Sequence, residues 1–233
     1  MKEKIYLLPG LMCNEKLWDR LRPLLEHKYE LVHIEIPNLS CFDQIIEVLD
    51  NRFEEEKINL FGFSFGAYIA SYYNIKNPHK VKRLFLNAGT PSQMSAVEVE
   101  KRNNMIELMK TLGFNGLSRK KVISLLEKSN QEDDHLISLV QKMYTDLGEE
   151  VYLSQMRTIN KRTSIEKHLL DLDIPIRLFY STNDRLFTYE SIDHFTDEHT
   201  HITKVSREGT SHMIPLEFPD ELSHQIELWM NDA

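Results

Sequence analysis

The sequence predicts an α/β fold in which a mainly parallel sheet of about six strands is flanked by helices and interrupted by an all-helical insert. Short apolar runs alternate with helix-length amphipathic stretches over residues 1–91, which is the pattern of βαβ units. No strand pattern occurs over 92–172, and strands resume after 173. We therefore expect a core formed by 1–91 and 173–233, with a helical segment at 92–172 inserted between its halves.

The predicted strands are short apolar stretches, rich in β-branched and aromatic residues and bounded by Pro, Gly, Asn or charged residues. They cover 4–8, 30–36, 58–63, 82–87, 174–181 and 201–206. Such runs carry apolar side chains in both directions, as expected for strands that are buried on both faces.

The predicted helices have apolar residues at helical spacing. In the core they cover 14–26, where Asn14 is placed to cap the first turn, and 42–54, 66–76 and 219–230. In the insert they cover 96–112, 118–128, 131–147 and 149–170, the last with a break near 163–164.

Composition and charge exclude several classes of protein. The 233 residues include 28 Lys plus Arg and 36 Asp plus Glu, a net charge of −8, which disfavours binding to nucleic acid through overall basicity. No apolar run is long enough to span a bilayer, and no export signal precedes the first strand. Two cysteines, Cys13 and Cys41, do not form a disulfide framework. We expect a cytoplasmic protein with no membrane span.

The segment 62–66 reads Gly-Phe-Ser-Phe-Gly and lies between a predicted strand and a predicted helix. A serine at the apex of such a turn adopts a strained backbone, and the flanking glycines remove Cβ atoms that would collide there. Ser64 is therefore expected to present its hydroxyl at the start of a helix. Serine is a weak nucleophile and needs an adjacent base, which is in turn oriented by an acid.

An acid and a base follow the serine in that order. Asp184 comes just after strand 174–181, and His212 comes after strand 201–206. Because the carboxyl ends of parallel strands meet at one edge of a sheet, we expect both side chains to lie near Ser64. These three residues are the predicted catalytic residues.

Two backbone amides complete the predicted site. The turn after the first strand, with sequence Leu-Pro-Gly-Leu-Met at 8–12, can aim the Leu11 N–H at the oxygen that the Phe65 N–H also reaches. Leu11 and Phe65 are therefore expected to form an oxyanion hole through their main chain. This chemistry requires neither a cofactor nor a metal, and none is expected.

The chain resembles the α/β-hydrolase superfamily over essentially all of its length. The resemblance is carried by Gly-Phe-Ser-Phe-Gly at 62–66, Asn-Asp at 183–184, Ser-His at 211–212 and Glu-Phe-Pro at 217–219. Two features differ: Pro-Gly replaces the His-Gly that many relatives have at 9–10, and the two leading strands common in the family are expected to be missing. The resemblance implies that the insert is a cap over the active site that selects the substrate.

The resemblance implies a serine hydrolase acting on a carboxylic ester or thioester with a mainly apolar acyl group, through an acyl-enzyme. Met94, Met105, Met109, Met143 and Met156 lie in the insert, where they could line an acyl pocket or pack its core. The cap arrangement is similar to that of esterases that hydrolyse the methyl ester of a carrier-protein-bound pimeloyl chain. A basic cluster of Arg119, Lys120 and Lys121 could contact an acidic acyl carrier protein. A lyase of the same fold and a non-catalytic ligand receptor are the alternatives.

Overall fold

The computed structural model describes residues 2–193, 195 and 198–232. Its centre is one sheet of six strands, all paired in parallel, in the order β2-β1-β3-β4-β5-β6. The strands are β1 (Glu3–Leu8), β2 (Tyr29–His33), β3 (Ile58–Phe63), β4 (Val81–Asn87), β5 (Ile176–Ser181) and β6 (Ile202–Arg207). The predicted α/β fold class is confirmed.

Two strands are shorter than the sequence pattern indicates, and proline accounts for both differences. The edge strand β2 pairs only with β1, and their last pair is Leu7 with His33. Pro9 follows the end of β1 and has no N–H to donate to β2. The edge strand β2 therefore ends at His33 instead of at 36. At the other position, Pro175 delays the start of β5 to Ile176.

The core helices flank this sheet. They are α1 (Arg22–Leu25), α2 (Phe42–Asp50), α3 (Phe65–Lys76), α8 (Ile214–Glu217) and α9 (Pro219–Asn231). The prediction of one helix over 14–26 is wrong: Asn14 caps a 3₁₀ turn at Glu15–Trp18, and α1 starts separately with a proline in its first turn. The predicted helix at 42–54 ends at Asp50, and α8 and the short 3₁₀ turns were not predicted.

The segment between β4 and β5 contains four α-helices and no strand among its described residues. They are α4 (Ala96–Leu112), α5 (Arg119–Ile123), α6 (Asp134–Ile159) and α7 (Glu166–Leu170). The predicted division between helices 131–147 and 149–170 is confirmed by non-helical backbone inside α6, and the predicted break near 163–164 separates α6 from α7. The kink is at Gly148, whose φ of 76° is accessible mainly to glycine. Among the described residues, no helix is both long and apolar enough to cross a bilayer.

The sheet is buried on both faces by separate apolar clusters. On one face, α2 and α3 pack around Tyr68 and Tyr73. On the other, Trp18 and Trp229 pack with the first half of α6. Both faces are therefore used for packing, which leaves the carboxyl edge of the strands as the place where loops can build a site.

Candidate active site

Ser64 occupies a strained turn between β3 and α3. Its φ and ψ are 52° and −112°, outside the regions that L residues usually adopt. A Cβ on Gly62 would lie 2.4 Å from the Gly66 carbonyl oxygen, and one on Gly66 would lie 2.4 Å from the Leu8 oxygen. The strand and helix approach so closely that both positions require glycine. The Ser64 N–H donates to the Asn87 carbonyl at 2.8 Å, which fixes the turn against β4.

Ser64, His212 and Asp184 form a continuous hydrogen-bonded series. The Ser64 Oγ lies 2.9 Å from His212 Nε2, and His212 Nδ1 lies 2.7 Å from Asp184 Oδ2. Asp184 is 2% exposed and His212 is 6% exposed. Because an ionised carboxylate only accepts, Nδ1 carries the proton and Nε2 presents its lone pair to the serine. The structure thus brings together the three side chains selected from the sequence.

The loop after β5 holds the Asp184 carboxylate through both oxygens. Oδ1 accepts the Leu186 N–H at 2.9 Å, while Oδ2 accepts the histidine N–H. The Tyr189 hydroxyl donates to the Ser181 carbonyl at 2.7 Å and bridges to the Asp184 carbonyl at 3.2 Å. The carboxylate therefore has one orientation, directed at the imidazole.

The loop carrying His212 is tied to the helical insert and to β5. The His212 backbone N–H donates to the Leu125 carbonyl at 2.8 Å, and the Ser181 hydroxyl donates to the Ser211 carbonyl at 2.7 Å. Glu127 accepts the Thr210 N–H at 2.8 Å. These contacts join segments far apart in sequence and were not predicted; they fix the position of the imidazole.

Glu217 hydrogen-bonds both to the loop that carries His212 and to the helical insert. Its carboxylate accepts the Glu127 N–H at 2.8 Å and the Asn130 amide at 2.9 Å, and it also accepts the Ser211 hydroxyl. Burial raises the pKa of the Glu217 carboxyl, and the hydrogen bonds only partly offset this effect. The Glu-Phe-Pro segment noted in the sequence therefore supports the histidine loop.

The turn after β1 brings Leu11 next to Ser64. Gly10 accepts the Cys13 N–H at 3.1 Å, and Met12 has a φ of 54°. The buried Gln155 of α6 accepts the Met12 N–H at 2.9 Å. Within the described part of the chain, neither the Leu11 N–H nor the Phe65 N–H has a hydrogen-bond acceptor. Both residues line the same cavity as Ser64, which is where the predicted oxyanion hole requires them.

A cavity of about 370 Å³ lies above Ser64, between the sheet edge and the insert. Its walls are largely apolar and include Met94, Met105 and Met156, whereas Met109 and Met143 pack inside apolar clusters. Four cationic side chains also line it: Lys101, Arg102, Lys121 and Arg162. Glu98 is the one anionic side chain lining the cavity in the described residues.

A larger cleft, of about 780 Å³, lies at the opposite edge of the sheet. It is lined by residues at the amino ends of β1 and β2, such as Lys4 and Glu30, and contains none of the predicted site residues. Its size alone does not make it the functional site, because the hydrogen-bonded serine and the predicted oxyanion amides lie at the carboxyl edge.

The three residues of the basic cluster at 119–121 have different contacts in the structure. Arg119 pairs with Asp134 at 2.6 Å, Lys120 is exposed, and Lys121 lines the cavity. Helix α5 therefore connects the outer surface of the insert with the cavity above Ser64. All three residues are exposed, and Lys121 also lines the cavity.

Cys13 also lines the cavity, and we expect its thiol to be unreactive in the folded protein. Burial raises the pKa of Cys13 to about 12, so almost no thiolate is present at neutral pH. In an Ellman assay of native protein at pH 8, Cys13→Ser should leave the fast-reacting thiol content unchanged, whereas Cys41→Ser should remove it, since Cys41 is partly exposed. Faster modification at Cys13 than at Cys41 would contradict this assignment.

The fold and the geometry at the carboxyl edge define an α/β-hydrolase enzyme. The model of the family described as serine aminopeptidase, S33, matches residues 40–218, most of the chain. The protein belongs to this serine-hydrolase family. Among curated proteins, none matches its sequence significantly.

Several solved structures have the same fold. A malate-bound thermophilic esterase from Thermogutta terrifontis is 18% identical with a TM-score of 0.84, covering 99% of this chain and 90% of its own. An enol-lactonase from Burkholderia xenovorans is 13% identical with a TM-score of 0.83, covering 100% and 92%. MenH from S. aureus is 16% identical with a TM-score of 0.77, covering 98% and 93%. At these identities the likeness establishes the fold, while the reaction must be argued from the site.

Proposed function

We propose that this protein hydrolyses a carboxylic ester or thioester through an acyl-enzyme, with Ser64 as nucleophile. The observation that carries this proposal is the series of hydrogen bonds from Ser64 through His212 to Asp184, opening on a cavity. Such a series is the arrangement that activates a serine hydroxyl for attack on a carbonyl.

Acylation begins with attack of the Ser64 Oγ on the carbonyl carbon, while its proton passes to His212 Nε2. Asp184 holds the imidazole in the required tautomer and stabilises its positive charge. The carbonyl oxygen becomes an oxyanion, which accepts hydrogen bonds from the Leu11 and Phe65 N–H groups. The bond to the leaving group then breaks, and the imidazolium protonates the departing oxygen or sulfur.

Deacylation repeats these steps with water. His212 removes a proton from a water molecule that attacks the acyl carbon, and the bond to Ser64 Oγ breaks as the serine regains a proton. The products are a carboxylic acid and the alcohol or thiol. No other reactant is needed.

Gln155 is a positioning residue for the stabilisation of the oxyanion. Its side chain holds the turn that carries the Leu11 N–H, so Gln155→Leu should lower kcat by roughly 10- to 100-fold, at or below the loss seen when an oxyanion donor is removed. KM should change little, because the residue does not form the cavity wall. Gln155→Glu, which retains an acceptor oxygen, should recover part of the rate. Initial-rate kinetics with thermal unfolding of each variant checks this; an unchanged kcat for Gln155→Leu would refute the role.

The segment 92–172 acts in this proposal as the cap that determines the substrate. Residues from α4, α5 and α6 line the cavity, including Met105, Val140 and Tyr152. Their apolar side chains favour an apolar acyl group. Helix α7 instead packs on α3, beside the core.

A carrier-protein-bound acyl ester is the second candidate substrate. Helix α5 supports it, since exposed Lys120 lies beside Lys121 at the cavity rim and both could face an acidic carrier. Lys120→Ala should then raise KM for the carrier-bound ester but leave kinetics with a small ester unchanged. Equal effects on the two substrates would show that Lys120 does not contact a carrier protein.

The test of the proposed function is a series of p-nitrophenyl esters of increasing acyl length, assayed with the wild type and Ser64→Ala. A rate optimum at one length that disappears in the variant supports a serine hydrolase with a sized pocket. Rates that are flat with length and insensitive to the substitution contradict it. Substrate turnover by wild type without net addition of water, measured by product mass, would favour the lyase alternative. Tight ligand binding without turnover would favour a receptor.

A further inference from the structure

We propose that the substrate carries an ionised carboxylate, bound in the cavity by Arg102 and Lys121, so that the enzyme prefers an ester with a second, acidic group. This inference rests on the proposed function and names its substrate class. In the part of the chain that the structure describes, four cationic side chains and one anionic side chain line the cavity, although the whole protein carries a net charge of −8. Positively charged side chains are therefore concentrated around this cavity in a protein that is acidic as a whole.

Among the described residues, Arg102 has no anionic partner within hydrogen-bonding distance. The polar contact that the described residues provide to its guanidinium is the Met156 sulfur at 3.2 Å, a weak acceptor. Desolvation by burial lowers its pKa, opposed by more distant charges such as Glu98. A guanidinium presents a planar fork of donors that matches a carboxylate, and here that fork is unoccupied by protein oxygens.

Lys121 reaches the same cavity from α5 and makes no ion pair with any described residue. Lys121 is exposed as a residue, and partial desolvation on its cavity side, together with the positive charges of Arg102 and Arg185, lowers the pKa of its ammonium group. Arg102 and Lys121 line the same cavity, so their like charges repel each other in the absence of a ligand. An anion between them would remove this repulsion and satisfy their donors.

Arg162 adds a third positive charge but is held in place by the protein. Its guanidinium donates to the Thr90 carbonyl and lies 4.4 Å from the centre of the Tyr68 ring. Its buried Nε has no acceptor among the described residues. Arg162 thus supplies a fixed positive field, and the less constrained Arg102 and Lys121 supply the direct contacts.

Glu98, the one carboxylate that lines the cavity among the described residues, forms no ion pair with these cations. Glu98 is exposed, and its carboxylate accepts the backbone N–H and the hydroxyl of Ser95 in the capping box of α4. It is therefore committed to the start of its helix. The apolar walls strengthen the interaction of the partly buried Arg102 with a ligand carboxylate, because they limit the access of water to it.

The test compares matched esters with and without the acidic group. On the acyl side, these are the mono-p-nitrophenyl ester of adipic acid and the corresponding ester of adipamic acid. On the alcohol side, they are the hexanoyl esters of glycolic acid and of glycolamide. We expect kcat/KM to be about 10- to 100-fold higher for the acid in one pair, the range expected for a charge-assisted hydrogen bond. The pair that responds identifies the part of the substrate that bears the carboxylate.

Arg102→Gln should abolish this preference, mainly by raising KM for the acidic ester, so that kcat/KM becomes equal for the acid and the amide. Lys110→Gln is the matched control, because Lys110 lies on the same helix, pairs with Glu107 and does not line the cavity. A second readout uses the Ser64→Ala protein, which should bind the monomethyl ester of adipic acid more tightly than the methyl ester of adipamic acid in calorimetry, with the difference lost on adding Arg102→Gln.

Equal kcat/KM for acid and amide in both pairs, with turnover still dependent on Ser64, would overturn this inference and leave the proposed function intact. A preference retained in Arg102→Gln would also overturn it. Turnover that persists in Ser64→Ala would instead overturn the proposed function.

Discussion

Replacing Ser64 with alanine is expected to reduce kcat by a factor of about 10⁵–10⁶, the scale of loss when the nucleophile of a serine hydrolase is removed. The Oγ is the atom that attacks, and its 2.9 Å hydrogen bond to His212 provides the path for its proton. No other hydroxyl in the described residues hydrogen-bonds to this imidazole, so no neighbour can replace it.

The check is single-turnover and steady-state kinetics on the best p-nitrophenyl ester, with circular dichroism to confirm the fold. Alanine removes one oxygen from a partly exposed side chain and retains the backbone turn, so the free energy of unfolding should change by less than about 1 kcal/mol. A folded Ser64→Ala protein that retains more than about a hundredth of the wild-type kcat would contradict the assignment.

The second large effect concerns His212. His212→Ala should reduce kcat by a similar factor, about 10⁵–10⁶, because the serine hydroxyl then has no base. The double variant Ser64→Ala with His212→Ala should be no slower than either single variant, since the two residues act as one unit. Asp184→Asn should lower kcat by about 10⁴ by allowing the wrong imidazole tautomer.

Steady-state rates of the single and double variants form the cycle that tests this coupling. Losses that multiply in the double variant would indicate that Ser64 and His212 act independently, in conflict with their hydrogen bond. A residual rate, set by substrate binding and the oxyanion amides, should remain in these variants. It should be the same in the two single variants and in the double variant.

The nucleophile turn could be predicted from the sequence because local chemistry specifies it. Gly62 and Gly66 are required by backbone contacts within a few residues and with β1, and a strand and a helix flank them. Asp184 and His212 could be selected because both follow strands of a parallel sheet, which end at one edge. The βαβ pattern predicts parallel strands, and parallel strands place these loops at the same edge of the sheet.

Other parts of the site depend on contacts between distant segments, which a single sequence does not encode in a local pattern. Gln155 meets Met12 across 143 positions, and Glu127 meets Thr210 across 83. The concentration of cations in the cavity likewise arises because Arg102 and Lys121 lie on different helices of the insert. The local failure at 14–26 has a local cause, a proline in the first turn of α1.

The most direct test of the central claim is to treat the native protein with a fluorophosphonate and locate the adduct by peptide mass spectrometry. A single adduct on Ser64, absent from Ser64→Ala and much slower to form in His212→Ala, is the predicted result. An unlabelled wild-type protein, or an adduct on another residue at the same rate in all three proteins, would show that Ser64 is not an activated nucleophile.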